Sequence, residues 1–511
     1  MTFEAQAATM SREELIAQLI ELKQRVAWFE RQLFGSKSER RIVDAPGRQL
    51  TLGEMRRAAA SEAASVEVPA HRRRRASAAE AEDHELRFDP SVPVEEIVVG
   101  EAKDPKAYAL VGEKVTCRLA QRPGSYVVLR YVRKVYKRKS DGAFFCPPAP
   151  PAVLEKSCAD VSFLSGLVIE KFNFHLPLYR QHQRLAAAGV HLARSTLTNL
   201  VHRTAELLEP VYEAQLGSIL TSAVLAMDET PLKVGRKKRP PPQRGAMKTG
   251  YLWPIYGDRD EIVFLFARTR GGGVVREALR DYSGVLLSDG YRVYERFAER
   301  VNRVVHAQCW AHARRHLEEA EAYDPKHAGE ALDLIAELYD QEATIRAQGL
   351  SPEQVLTHRR EHAKPVVDRF FTGLRTTLES EVLLPRNPFT KAARYALDRE
   401  TSLRVFLEYP NVPVDTNHVE RAIRPIAMGR KNWLFCWTEI GAHYVGILQS
   451  LLFTCRLQGI DPHTYLVDVL QRIDTHPAKD VALLTPRLWK EHYEGNPLRS
   501  HLDRLPPSCA P

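Results

Sequence analysis

Long apolar runs and clustered cysteines are both missing from this 511-residue chain. The longest apolar run, around 447–455, is broken by Gln449 and Ser450 and falls short of the roughly 18 residues that span a bilayer. The N-terminus lacks the basic region and apolar stretch of a signal peptide. The seven cysteines are odd in number and scattered, which argues against a disulfide framework. We therefore expect a reduced, cytoplasmic protein with no membrane partner.

The composition is that of a globular protein with an excess of positive charge. Hydrophobic residues make up 44% and charged residues 27%, which excludes wholesale disorder and fibrous proteins. The 73 Lys and Arg against 64 Asp and Glu give a net charge of +9. In a protein of this class, basic charge indicates a polyanionic partner, chiefly nucleic acid. At roughly 150 residues per domain, the length predicts about three or more structural units.

A heptad pattern and a linker occupy the first 85 residues. Ser11 and Glu14 have capping-box spacing, and Gly35 ends the pattern. Between them, apolar residues recur at alternating steps of four and three: Leu15, Leu19, Leu22, Val26, Phe29 and Leu33. This predicts either a helix packed on its own domain or, as we favour, a leucine-zipper-like coiled coil over 1–40 that makes a homodimer or higher oligomer. Residues 41–85 predict a flexible linker.

Two patterns between 86 and 215 suggest contact with DNA. Within a small β segment (86–160), a long strand over 126–139 carries candidate DNA-binding residues, with a charged edge strand as the equal alternative: Arg130, Arg133, Lys134, Lys137 and Arg138. Helical patterns at 178–188 and 195–208, separated by Gly189, fit a helix-turn-helix within 161–215. The start of its second helix would read bases: Arg194, Ser195, Thr196 and Asn199.

Alternating strands and helices over 222–310 predict a mixed sheet, with a three-strand meander followed by parallel crossovers. If strands 223–227 and 284–288 pair in parallel, Asp228 and Asp289 face each other at one sheet edge. Two such carboxylates repel unless a cation such as Mg²⁺ holds them. Taken singly, each Asp is better explained as a turn residue or a helix cap.

A third candidate carboxylate is Glu420. Asn417 and Glu420 have capping-box spacing, and Glu420 is also spaced to pair with Arg424. Alternatively, a helix laid across the sheet brings Glu420 to the metal ions. Four basic residues would then face phosphates: Arg421, Arg424, Arg430 and Lys431. The spacing alone leaves both interpretations open.

Four linked motifs resemble the insertion sequence sixty-six family of transposases. They are Asp228-Glu229-Thr230-Pro231, Ser288-Asp289-Gly290-Tyr291, the stretch 309–315, and 417–425 continuing through 429–435. The similarity covers nearly the whole chain. It implies a multidomain α/β protein with a ribonuclease-H-like DDE catalytic domain over 216–435, a helical insertion over 317–408 and a C-terminal helical domain over 436–511. It also implies that Asp228, Asp289 and Glu420 are the catalytic residues and hold two Mg²⁺ or Mn²⁺ ions.

The activity that this resemblance implies is DNA transposition in bacteria, on the nucleoid. Two-metal phosphoryl transfer would cleave the element at its terminal repeats and join the freed 3′-hydroxyl to target DNA. The resemblance also implies small accessory proteins as further partners. A basic loop predicts another phosphate contact, with a solvated loop tip as the alternative: Arg236, Lys237, Lys238 and Arg239. The rival functions are a non-catalytic DNA-binding regulator and a nuclease that never joins strands.

The cysteines depart from the family pattern, which commonly includes a zinc finger with paired Cys-x-x-Cys. The β segment has only Cys117, Cys146 and Cys158, without such a pair. Because structural zinc requires four ligands, we expect a degenerate finger without zinc. Cys309, His312 and His316 are spaced for a metal, but packing of a helix near the active site explains them better.

Overall fold

The computed structural model describes residues 87–90, 92–99, 108–122, 124–236, 246–380, 386–433, 436 and 438–504. The zipper and linker predictions, and Lys237, Lys238 and Arg239 of the basic loop, lie outside the described residues. Within the described part, no helix is both long and apolar enough to cross a membrane.

A long β-hairpin forms the first described region. The strands are β1 (Arg87–Phe88), β2 (Val94–Val98), β3 (Tyr108–Arg122), β4 (Ser125–Arg138) and β5 (Phe144–Phe145). β4 lies between β2, its parallel neighbour, and β3, its antiparallel neighbour, and also pairs with β5. Gly124 turns the hairpin at φ +83°, a conformation that glycine adopts without strain. The strand predicted over 126–139 is therefore present.

Helices α1 (Val161–Phe172), α2 (Leu178–Ala187) and α3 (Arg194–Ile219) follow, with the short strand β6 (Val190–His191) between the last two. β6 pairs with β1. α3 is longer than the predicted helix, because it continues through Pro210 to Ile219. Its second half is held by the sheet described next, where the Gln215 side-chain amide donates to the Ile262 carbonyl at 2.7 Å.

The central sheet has six strands. In chain order the elements are β7 (Val224–Met227), β8 (Thr230–Arg236), β9 (Met247–Gly257), β10 (Glu261–Ala267), α4 (Gly272–Ala278), β11 (Gly284–Ser288), α5 (Arg292–Arg300) and β12 (Val304–Gln308). The spatial order is β10-β9-β7-β11-β12, with β8 also paired to β9. β10, β9 and β7 are antiparallel, whereas β7, β11 and β12 are parallel. The predicted mixed sheet is confirmed.

One strand of this sheet was not predicted. β8 lies between the first predicted strand and the basic loop, so Arg236 ends a strand and does not open a loop directly after β7. Its sequence obscures the alternation, since only Leu232 and Val234 are buried apolar residues and Pro231 and Gly235 interrupt the pattern. β8 continues the line of β7 along β9 after a break at Asp228 and Glu229.

A helical region follows β12. It contains α6 (Trp310–Glu321), α7 (Pro325–Gln348), α8 (Pro352–His358), a π-helical turn at Arg359–Ala363, α9 (Lys364–Ser380), α10 (Pro388–Leu397), α11 (Glu400–Arg404) and a 3₁₀ turn at Val405–Leu407. The side chains of Ser351 and Gln354 form a capping box at the start of α8. The helices predicted for this insertion are present.

The remaining helices are α12 (Asn417–Trp433), α13 (Glu439–Leu457), α14 (Pro462–Arg472), α15 (Pro486–His492) and α16 (His501–Arg504), with a 3₁₀ turn at Ala478–Leu484. α13 packs on β10, where the Ser450 hydroxyl accepts a hydrogen bond of 2.8 Å from the Phe264 N–H. α12 lies against β8 and β9. The sheet is thereby enclosed by helices, and its strand ends are left to form a site.

Candidate active site

Asp228 and Asp289 directly follow two neighbouring parallel strands. β7 and β11 pair with Ala226 opposite Leu287, and the same register brings Asp228 level with Asp289. Neighbouring strands lie about 4.8 Å apart, so the two carboxylates leave the sheet side by side. The parallel pairing on which the sequence argument depended is present.

Backbone N–H groups orient both aspartates. One oxygen of Asp228 accepts from the Glu229 N–H at 2.7 Å, and one oxygen of Asp289 accepts from the Tyr291 N–H at 2.9 Å. Burial raises the pKa of the Asp228 carboxyl to about 7. The negative charges of Asp289, Glu229 and Glu420 contribute to this raised pKa, while the hydrogen bond from the Glu229 N–H acts in the opposite direction. Asp228 therefore lies in a buried, acidic environment that disfavours its ionised form.

Glu420 lies on the first turn of α12 and faces α6. Its Oε1 is 3.8 Å from Nε2 of His312 and 3.5 Å from the guanidinium of Arg315. Burial lowers the pKa of His312, while the charges of Asp289 and Glu420 act in the opposite direction. The negative charges of both Asp289 and Glu420 therefore favour the protonated form of His312.

The capping interpretation of Glu420 is wrong. Asp415, and not Glu420, accepts the Asn417 N–H, at 3.0 Å. The Glu420 N–H in turn donates to the Thr416 carbonyl at 3.0 Å, as in an ordinary helical turn. The Glu420 side chain therefore does not cap α12 and instead lies beside His312 and Arg315.

Three residues beside the aspartates have no role in the sequence analysis: Glu229, Arg270 and Tyr294. The Glu229 side chain is only 1% exposed, pairs with Arg270, and accepts the Tyr294 hydroxyl hydrogen bond at 2.8 Å. The Arg270 guanidinium lies 4.1 Å from the ring centroid of Tyr291, which follows Asp289 by two positions. Glu229 is adjacent to Asp228 in sequence, but only the fold reveals that its negative charge is paired with Arg270, 41 positions away.

The donor set fits a divalent cation in its chemistry. Carboxylate oxygens are the hard ligands that Mg²⁺ and Mn²⁺ prefer, and a bound cation would stabilise the charged form of Asp228, which burial disfavours. Among the described residues, no three His, Cys, Asp or Glu side chains are already arranged to hold an ion. Mg²⁺ commonly takes only one or two carboxylates and completes its shell with substrate phosphates and water.

Two of the three residues spaced for a metal, Cys309 and His316, make packing contacts. The Cys309 Sγ accepts the Thr416 N–H at 3.2 Å, and the His316 ring lies 4.3 Å from the ring of Tyr395. These contacts join α6 to the segment before α12 and to α10.

The predicted DNA-contact residues of β4 divide between two faces. Strand alternation puts Arg130, Lys134 and Arg138 on one face and Arg133 and Lys137 on the other. Three of them have protein partners. Arg130 pairs with Glu96, and Arg138 pairs with Asp141, each at 2.8 Å, while Arg133 donates to the Pro147 carbonyl at 3.3 Å.

The helix-turn-helix residues lie at an accessible helix start. Arg194, Ser195 and Asn199 are exposed on the first turns of α3, and Thr196 is partly buried. The Arg194 guanidinium lies 5.7 Å from the ring centroid of Tyr179 on α2. Gly189, at φ +78°, turns the chain between the two helices.

The basic residues of α12 fall into two groups. Arg421, Arg424 and Lys431 are exposed, and helical periodicity aligns them in one stripe that borders Glu420. Arg430 is different, because its guanidinium donates to the Thr230 hydroxyl at 3.2 Å and to the Pro231 carbonyl. Arg430 therefore ties α12 to the start of β8.

Comparisons with known families agree along the chain. Residues 156–444 match the family described as "Transposase IS66 family", 450–486 match "IS66 C-terminal element", and 21–97 match "Transposase C of IS166 homeodomain". Two relatives come from Sinorhizobium fredii. "Uncharacterized protein y4hP" is 30% identical over 74% of this chain and 71% of its own. "Uncharacterized protein y4jD" is 28% identical over 94% of this chain and 97% of its own.

Two solved structures are weakly similar. The "Drosophila P element transposase strand transfer complex" has a TM-score of 0.31 and 11% identity, over 61% of this chain and 93% of that chain. The "Crystal structure of the Mos1 Strand Transfer Complex" has a TM-score of 0.11 and 14% identity, over 31% of this chain and 59% of that chain. At these TM-scores the likenesses are too weak to identify a fold.

Proposed function

The chain belongs to the IS66 family of transposases, and we propose that it is the DNA transposase of a bacterial insertion sequence. Asp228, Asp289 and Glu420 would form one site that cleaves DNA at the terminal repeats and joins the freed ends to target DNA. The observation that carries this proposal is the register of β7 and β11, which brings the two aspartates level. The sheet order, three antiparallel strands continued by two parallel ones, supports a ribonuclease-H-like core.

Divalent cations, Mg²⁺ or Mn²⁺, are the proposed cofactors, two per site, held by the three carboxylates. When bound, they would supply Lewis-acid activation of a water or 3′-hydroxyl and stabilise the leaving oxygen. The protein then needs no nucleophile of its own. Its backbone N–H groups at Glu229 and Tyr291 orient the aspartates, and Arg270 with Tyr294 holds the neighbouring Glu229.

DNA would lie along exposed basic residues near the site. The stripe of Arg421, Arg424 and Lys431 borders Glu420. A DNA backbone bound along this stripe would have its phosphates close to the carboxylates. The start of α3 would read the terminal repeats with Arg194, Ser195 and Asn199. On β4, the face with Arg130, Lys134 and Arg138 offers a third contact.

The domain organisation remains part of the proposal. It consists of a coiled coil over 1–40 that makes a homodimer or larger oligomer, a linker to 85, the β segment to 160, the helix-turn-helix to 215, the catalytic domain to 435 and the C-terminal helical domain. In this arrangement the 317–408 insertion interrupts the catalytic domain before Glu420.

Cleavage of terminal DNA by the purified full chain tests the proposal. With Mg²⁺ or Mn²⁺, the wild-type protein should nick DNA that carries the element's ends, while Asp228→Asn, Asp289→Asn and Glu420→Gln should retain DNA binding and lose cleavage. Asp281→Asn is the matched control, because Asp281 is 82% exposed and outside the site. Cleavage that survives all three site substitutions would show that the site is wrongly assigned.

A further inference from the structure

We propose that the helical insertion positions the candidate carboxylates, with Arg359 as the positioning residue for Glu420; this rests on the proposed function. Glu420 follows Asp289 by 131 positions and lies on no strand of the sheet. The sheet register therefore fixes Asp228 against Asp289 but leaves the place of Glu420 to other contacts. The helical region that begins at α6 supplies them.

Arg359 is a buried cation at the start of the π-helical turn. Its side chain is 3% exposed and makes a two-pronged ion pair with Glu342 of α7, with both N–O distances at 2.8 Å. π-helical turns are rare and occur often at functional sites. A buried pair of this kind persists when further hydrogen bonds satisfy the remaining donors.

Those further hydrogen bonds all go to one stretch of chain. The Arg359 guanidinium donates to the carbonyls of Phe406 at 2.7 Å, Tyr409 at 3.0 Å, Pro410 at 3.4 Å and Val412 at 3.1 Å. A planar guanidinium with five N–H donors can hold several carbonyls at once, whereas a lysine amine cannot reproduce this geometry. Arg359 therefore fixes the path of 406–412.

The same stretch leads directly to Glu420. Two residues after Val412, the Val414 carbonyl accepts the Trp310 N–H at 2.9 Å. Asp415 then accepts the Tyr339 hydroxyl hydrogen bond from α7 at 3.0 Å and the Asn417 N–H at 3.0 Å. Each of these contacts fixes the start of α12, whose first turn carries Glu420.

The insertion also touches the loop after Asp289. The Arg399 guanidinium lies 4.0 Å from the Tyr395 ring centroid and donates to the Gly290 carbonyl at 3.5 Å. A Cβ at Gly290 would overlap the Tyr395 hydroxyl, so only glycine allows this approach. The insertion thus contacts the chain next to both Asp289 and Glu420, and it sets their separation.

Arg359→Lys tests this role, and Arg487→Lys is its matched control. Arg487 contacts the buried Glu261 at 3.3 Å, and so has a comparable partner in a different part of the fold. The readout is the affinity of the full chain for Mn²⁺, measured calorimetrically with a DNA end that lacks its 3′-hydroxyl. Loss of a residue that orients metal ligands typically costs 10–100-fold in metal affinity.

We expect Arg359→Lys to weaken Mn²⁺ binding at least 10-fold and to raise the Mn²⁺ concentration for half-maximal cleavage equally. Saturating Mn²⁺ should restore kcat, and DNA affinity should not change. Arg487→Lys should lower the melting temperature and leave Mn²⁺ affinity within two-fold of wild type. Equal Mn²⁺ affinity in wild type and folded Arg359→Lys would overturn the proposal.

Tyr339→Phe gives a second measurement, which does not require the Arg359→Lys variant to fold. It removes only the hydroxyl that contacts Asp415, and we expect a smaller, roughly three-fold loss of Mn²⁺ affinity. No loss in this variant, with Arg359→Lys unfolded, would also overturn the proposal. A wild-type chain that binds Mn²⁺ through Asp228 and cleaves no DNA would contradict the proposed function alone, and the affinity ratios would still decide the positioning role.

Discussion

At the scale of single residues, some charged groups of the candidate site could be located from the sequence and others could not. Asp228 and Asp289 are predictable because each ends an apolar strand, and a parallel pairing makes those ends neighbours. Glu229 directly follows Asp228 in the sequence. Its ion pair with Arg270 and its hydrogen bond from Tyr294, however, join residues that are 41 and 65 positions apart. No local pattern encodes such contacts, so these residues could not be assigned from the sequence.

The basic side chains of α12 differ in their contacts, and this difference gives a prediction for DNA binding. We expect Arg421→Ala and Arg424→Ala each to weaken binding of terminal DNA and to lower the slope of log K against log salt by about 0.9, the value for one phosphate contact. Arg430→Ala should leave the slope unchanged and lower the melting temperature, because Arg430 contacts Thr230 and Pro231. Salt titrations of DNA binding check this. A slope that changes only in Arg430→Ala would contradict the assignment.

At the scale of elements, periodicity predicted most of the sheet. The apolar strands and the crossovers were readable because their patterns repeat over several residues. β8 and the second half of α3 were not. Proline and glycine interrupt β8, and Pro210 falls inside α3, so local signals opposed what tertiary packing on β9 and β10 imposes.

The turn of the helix-turn-helix gives an element-level prediction. Gly189 has φ +78°, and a Cβ there would lie 3.1 Å from atoms of Asp89 and Val92. We expect Gly189→Ala to lower the free energy of unfolding by about 1–3 kcal/mol. Gly217→Ala, in the open on α3, should raise it by about 0.5–1 kcal/mol. Urea unfolding followed by circular dichroism measures both, and equal effects would contradict the account of this turn.

At the scale of the whole molecule, the chain joins a mixed six-stranded sheet to a helical region that follows β12. The family was predictable through the resemblance, because motifs far apart in sequence occur in the family's order. The contacts of the insertion were not predictable, since Arg359 and Tyr395 resemble ordinary helix residues in sequence. The proposed role of Arg359 follows from its burial and from the carbonyl groups that it contacts, and that of Tyr395 from its close approach to Gly290.

Self-association is a prediction for the whole chain. The heptad pattern over 1–40 predicts a coiled coil, so the full chain should sediment as a dimer or larger species without DNA. Removal of residues 1–40 should shift it to lower mass. An unchanged mass after this deletion would mean that the oligomer, if present, is held elsewhere.

Joining of a pre-cut DNA end tests the central claim most directly, because it isolates strand transfer from DNA cleavage. A terminal-repeat duplex with a free 3′-hydroxyl, a target plasmid and Mg²⁺ are mixed with wild type, Asp228→Asn or the control Asp281→Asn. The account predicts joined product with wild type and Asp281→Asn and none with Asp228→Asn, at equal DNA binding. Undiminished joining by Asp228→Asn would contradict it.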